Sequence, residues 1–230
     1  YQYIYNIPNG VYAVTVRGYF RPYNTNEAFT NFKPGAVVYG VEGSYDYEPN
    51  KIQSTYLPSI FAGSKTTPLV DYELEVKDAD GNTWYVPNDM ETANVYLNDA
   101  ERGVEYETTV MFNVENGYMR FGIKQESLLS NADWTLWDNW KLTYYGKSVA
   151  AYQKWAETVV ANAPDYSHAT ITQSLKEEYV TLLATMSATN ATEAIASMEL
   201  LNAMLSEIKT NEMAWKTYAK AVDKAKNLLA

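Results

Sequence analysis

The sequence predicts a multidomain chain: an all-β antiparallel sandwich followed by an all-α helical bundle. Three observations predict it. Short stretches of period-two alternation, separated by Gly-, Pro- and Asn-rich turns, run up to Gly146. Beyond Gly146 there is no further glycine, and Pro164 is the only proline. From there the apolar residues recur at helical spacing instead. The domains are accordingly 1–147 and 148–230.

The elements follow in order. Tyr1–Ile7 alternates Tyr1, Tyr3 and Tyr5 against Gln2 and Ile4, and Pro8-Asn9-Gly10 is read as a hairpin turn. Val11–Phe20 sets Tyr12, Val14, Val16 and Phe20 on one face, with Thr15, Arg17 and Tyr19 on the other. Arg21–Asn50 reads as a long irregular aromatic loop of the kind that carries binding sites. Leu69–Lys77 reads as a strand with Val70, Tyr72, Leu74 and Val76 inward, and Asp80-Gly81 turns the chain into Thr83–Val86. Asn88…Glu91 has capping-box spacing for a short helix whose shared face is Met90, Ala93, Asn94 and Leu97. Tyr106–Val114 groups Tyr106, Thr108, Val110, Phe112 and Val114. Asn116-Gly117 is read as a second hairpin turn, into Tyr118–Lys124. In the last strand, Asp138, Trp140, Leu142 and Tyr144 alternate with Asn139, Lys141, Thr143 and Tyr145.

Three helical stripes follow: Tyr152 to Ala163, Ile171 to Met186, and Ile195 to Ile208. Thr170…Gln173 and Asn190…Glu193 have capping-box spacing. With no Gly or Pro after Asn190, the third helix is expected to run straight into a fourth. That fourth segment, beginning Ala214-Trp215-Lys216-Thr217-Tyr218-Ala219, repeats Ala151-Tyr152-Gln153-Lys154-Trp155-Ala156 at an offset of 63 residues. It therefore reads as one three-helix unit followed by the opening helix of another.

Composition excludes several function classes. A net charge of −10 and a pI near 4.6 argue against nucleic acid, which requires clustered Lys and Arg, and against anionic lipid. No apolar run is long enough to span a membrane. The absence of cysteine removes thiol chemistry, disulfides and zinc-thiolate sites. The single histidine, His168, sits in a linker with only Ser167 beside it, which is no triad. Gly63-Ser64-Lys65-Thr66 lacks the first glycine of a phosphate loop, and Asp78-Ala79-Asp80-Gly81-Asn82 lacks the sixth-position Gly and twelfth-position Glu of a calcium loop. Asp138, sharing the parity of Trp140 and Leu142, is expected on the core side. A carboxylate there needs calcium or hydrogen bonds from loop amides to offset its desolvation.

Several segments together resemble a known family. They are Tyr1 to Tyr12, Gly18-Tyr19-Phe20-Arg21-Pro22, Tyr85 to Met90, Phe121 to Gln125, and Asp133 to Trp140. They resemble the galactose-binding-like jelly-roll modules of secreted and cell-surface proteins from gut bacteria. The helical part is similar to the three-helix spacer repeats of bacterial surface proteins. The resemblance implies a jelly-roll sandwich whose sugar site lies at loop tips or across a sheet face, with Asp138 at the final-strand position that contributes to a structural calcium site. The expected function is non-catalytic carbohydrate binding, as part of a larger exported protein displayed at the cell surface. Candidate sugar-binding residues are Arg21 and Tyr23 after the second strand, Trp84, Tyr85 and Asn88 near the short helix, and Trp134 before the last strand. The alternatives are a structural or adhesive surface module without a small-molecule site, and an accessory fragment of a larger glycoside hydrolase.

Overall fold

A computed structural model describes residues 1–21, 35–43, 52–78, 80–126 and 133–229. Its sheets are antiparallel and come first, and the longest helix comes last. The chain divides into two compact units after Gly146.

In the first unit, strands β1 (Gln2–Tyr5), β8 (Tyr118–Gln125), β3 (Ala36–Glu42) and β4 (Gln53–Tyr56) form a four-stranded sheet in the order β1-β8-β3-β4. Strands β7 (Glu107–Val114), β2 (Gly10–Arg21) and β9 (Trp134–Gly146) form a three-stranded sheet in the order β7-β2-β9. The inner faces share one core. Tyr12, Val14, Val16 and Phe20 of β2 and Val110, Phe112 and Val114 of β7 meet Ala36, Val38 and Met119 of the other sheet. The inward set expected for β2 is therefore the set observed.

Both Asn-Gly turns carry the chain from one sheet to the other. β1 and β2 lie in different sheets, as do β7 and β8, so neither turn closes a hairpin as the sequence pattern implied. The turns lie side by side, with the Ile7 N–H donating to the Gly117 carbonyl at 3.0 Å. The buried Glu42 carboxylate accepts the N–H groups of Glu115 and Asn116, which offsets its desolvation. Gly10 and Gly117 both have positive φ, which suits such an arch as well as a hairpin turn, so the dipeptide alone does not distinguish them.

The expected irregular stretch 21–50 contains β3, which is buried along its whole length. The expected strand Leu69–Lys77 is shorter: only β5 (Leu74–Lys77) pairs, with β6 (Thr83–Val86). Tyr72 is exposed, and the Leu69 N–H donates to the Glu73 carboxylate at 2.9 Å. Helix α1 (Met90–Asn98) is capped by Asp89, whose carboxylate accepts the Thr92 N–H, so the box is shifted one residue from the expected pair. Its buried residues are Thr92, Ala93, Tyr96 and Leu97, while Met90 is exposed. A short α2 (Arg102–Glu105) leads to Tyr106, which precedes β7 instead of joining its inward face. Tyr106 packs with Tyr19, Ile60, Val76, Val86, Ala93, Tyr96 and Leu97 in a second core.

In the second unit, α3 (Val149–Ala161), α4 (Gln173–Thr185) and α5 (Ala191–Leu229) share a cluster built on Ile171, Leu175, Tyr179, Leu201 and Ile208. Ser148 caps α3 and Asn190 caps the start of α5, with Glu193 reaching back to the Thr189 N–H. The N-cap of α4 is Thr172, not Thr170, and its N–H donates to Asn211 at 3.0 Å. α5 is continuous for 39 residues, so the third and fourth segments are one helix, about 58 Å long at 1.5 Å per residue.

Candidate functional site

β9 carries the residues that matter most, and one residue decides where they point. Opposite β2, Asp138 pairs with Arg17 and Lys141 with Thr15, so three steps on β9 match two on β2. The extra residue is accommodated at Asn139, which has φ 56°, a left-handed conformation that Asn tolerates better than most side chains. Asn139 is held there by its side-chain amide, which donates to the Asn98 side-chain oxygen at 2.9 Å. A β-bulge reverses the alternation. Trp137, opposite the inward Gly18, and Trp140 therefore share a face although they are three residues apart.

That shared face forms one wall of a cleft at the open edge between the two sheets. Its volume is about 460 Å³, and its lining is Tyr1, Gln2, Phe121, Gly122, Ile123, Trp137 and Trp140. Trp137 is 49% exposed and Trp140 39% exposed. The Trp140 ring also leans on Phe121, with centroids 5.5 Å apart. Glycine is required twice here. A Cβ on Gly122 would lie 2.8 Å from the Tyr1 Cα, and one on Gly18 would lie 2.7 Å from the Leu136 carbonyl oxygen. Both allow the flanking strands to approach closely enough to form the walls. Among the described residues no carboxylate or imidazole lines the cleft, and the side-chain polar groups there are the Gln2 amide, the Tyr1 hydroxyl and the two indole N–H groups.

The same bulge corrects the expectation for Asp138. It lies on the outer face and is exposed, not core-facing, and its Oδ1 accepts the N–H of Asn139 at 2.8 Å. Among the described residues no group of three or more Asp, Glu, His or Cys could hold a metal ion. Asp138 belongs to no such group among them.

Of the six expected sugar-binding residues, three come together. Arg21, the last residue of β2, pairs in register with Trp134, the first of β9. Its guanidinium carbon lies 3.7 Å from the Trp134 ring centroid, and its Nη1 donates to the Asn88 side-chain oxygen at 2.6 Å. Arg21 is buried, and burial pushes its pKa down while the neighbouring Tyr19 acts the other way. A desolvated cation–π pair of this kind contributes about 2 kcal/mol. Beside it, the Tyr19 hydroxyl is buried without a hydrogen-bond partner among the described residues, and burial raises its pKa. The trio is thus well fastened, but one face of Trp134 already carries the guanidinium.

Trp84 and Tyr85 instead belong to the β5–β6 hairpin. The Trp84 indole N–H donates to Asp78 at 3.0 Å, and the Tyr85 hydroxyl donates to Glu75 at 3.3 Å. Tyr23 lies outside the described residues. Hydrogen bonds from Trp84 and then Asn82 hold the Asp78 carboxyl well below its usual range, at about 2. A lowered folded-state pKa stabilises above the unfolded value of about 4 and is lost as pH falls through the folded value. Acidification from pH 4 to pH 2 should therefore loosen this hairpin, read as a shift of the Trp84 indole NMR signal. Asp78→Asn should remove that titration; a shift that persists in the variant would contradict the assignment.

Sequence reasoning passed over Trp137 and Trp140 as a pair because strict alternation separates them. The available signal was an Asn in mid-strand between two tryptophans. In comparisons with known proteins, no family model, no curated protein and no solved structure matches the chain.

Proposed function

We propose that residues 1–147 form a jelly-roll β-sandwich that binds a glycan without catalysis, carried on a helical-bundle spacer and displayed outside the cell. One observation carries the reading: Trp137 and Trp140 present half-exposed rings on one face of a 460 Å³ cleft. That volume lies within the range of about 300–1,000 Å³ typical of small-molecule sites. Aromatic faces stack on the C–H surfaces of pyranose rings, while the Gln2 amide and the indole N–H groups supply hydroxyl contacts. The Arg21–Asn88–Trp134 trio acts in this reading as the clamp that fixes the start of β9.

A broad glycan array followed by calorimetry tests the proposal. The expected dissociation constant is roughly micromolar to millimolar, because few contacts offset the ordering cost. Trp137→Ala and Trp140→Ala should each abolish binding with little change in Tm, since half-exposed rings add little to the core. If no glycan registers, the adhesive-module reading takes its place. The exposed Leu142 and Tyr144 farther along the same strand would then be its contact surface.

A further inference from the structure

The second half of α5 is amphipathic, basic and uncovered. We propose that its face formed by Ala214, Trp215, Tyr218 and Val222 is a docking surface for an acidic helical hairpin like α4 with the first half of α5, supplied by a further helical repeat.

The internal repeat supplies the template. Tyr152 and Trp155 of α3 are 6% and 3% exposed; their counterparts 63 residues on, Trp215 and Tyr218, are 39% and 61% exposed. Farther along the α3 stripe, Val159 packs against the cluster formed by Ile171, Leu175 and Tyr179 with Leu201 and Ile208. Its counterpart at the same offset is Val222, so the valine that meets this cluster in α3 is kept in α5.

The repeat boundary is legible inside the helix. Ser148 caps the start of α3, accepting the Ala151 N–H at 3.2 Å. Its counterpart Asn211 is also an N-capping residue type, but the helix runs through it. Its side chain accepts the Thr172 N–H instead, tying α5 to the start of α4. From Met213 to Leu228 the helix residues are exposed, apart from a half-buried Val222. Trp215 and Tyr218 meet edge to face, with centroids 5.8 Å apart, beside a surface hollow of about 340 Å³ that Ala214 completes.

Charge completes the match. Residues 209–229 hold five Lys against Glu212 and Asp223, whereas residues 173–208 hold five Glu against Lys176. An α4–α5 hairpin would therefore bring an acidic surface to a basic one.

The test extends the full chain in the register of the repeat. Ala230 is the counterpart of Ser167, so a second copy of residues 168–210 is appended after it. Acrylamide quenching of Trp215, isolated by difference against Trp215→Phe, should fall at least about threefold, and amides 212–226 should gain at least about tenfold protection from exchange. The same extension carrying Leu175→Asp and Tyr179→Asp in its appended copy should give neither effect. An extension that becomes helical without protecting Trp215 overturns the proposal, and so does one that stays unfolded. It is equally overturned if Trp215 of the unextended chain is already covered by self-association, or is covered by phosphatidylserine vesicles and not by the extension.

Discussion

Phe112→Ala is expected to destabilise the β unit by about 3–5 kcal/mol. Gly40→Ala should cost about 1–3 kcal/mol by the opposite route. Phe112 is buried on the inner face of β7, in the core between the sheets. A Cβ on Gly40 of β3 would stand 2.1 Å from its Cε1 and 2.2 Å from its Cδ1. Truncating the ring leaves a cavity, while adding the methyl drives two atoms into one space. In the double variant the methyl occupies room that the ring has vacated, so its cost should fall well short of the sum. Urea denaturation of both single variants and the double variant measures that coupling, expected at about 0.5–3 kcal/mol. Strict additivity would contradict this packing.

The second large effect is expected at Asn139. Asn139→Val places a β-branched residue at φ 56° and removes the bond to Asn98, for a combined cost of about 2–3 kcal/mol. Asn139→Gly keeps the backbone conformation and should cost about 1 kcal/mol, the bond alone. The functional consequence is larger. A strand that abandons its bulge sends every residue on one side of it to the opposite face, so Trp137 and Trp140 cease to be neighbours. Affinity for any glycan that binds the wild type should fall at least about tenfold in Asn139→Val and be largely kept in Asn139→Gly. Calorimetry on the folded variants decides this, and equal losses in both would detach binding from the bulge.

Legibility in the sequence followed periodicity. β2 and β7 have one face in the shared core, so Tyr12, Val14 and Val16, and Val110 and Phe112, were assignable from alternation alone. β3 reads Ala-Val-Val-Tyr-Gly-Val-Glu and is buried throughout, so no alternation marks it. β4 is four residues long and shows no apolar period. The helical stripes were legible for the same reason as β2. So was the continuity of α5, because nothing after Asn190 breaks a helix. The site was less legible. Arg21, Asn88 and Trp134 were each nameable as candidates, but only the register of β2 on β9 shows that they meet. The Trp137–Trp140 face depends on one left-handed residue, and alternation assigned Asp138 to it instead. A bulge is stabilised by tertiary contacts, here the bond from Asn139 to Asn98, which sequence periodicity does not report.

The chain has six tryptophans, each with an indole N–H that NMR can follow. Assignment by Trp137→Phe and Trp140→Phe, followed by titration with a glycan identified on the array, tests the central claim most directly. Saturable shifts of the Trp137 and Trp140 signals, with Trp84, Trp155 and Trp215 unmoved, are the predicted result. A glycan that saturates the chain while leaving those two signals in place, or shifts only Trp84 or Trp215, would contradict it.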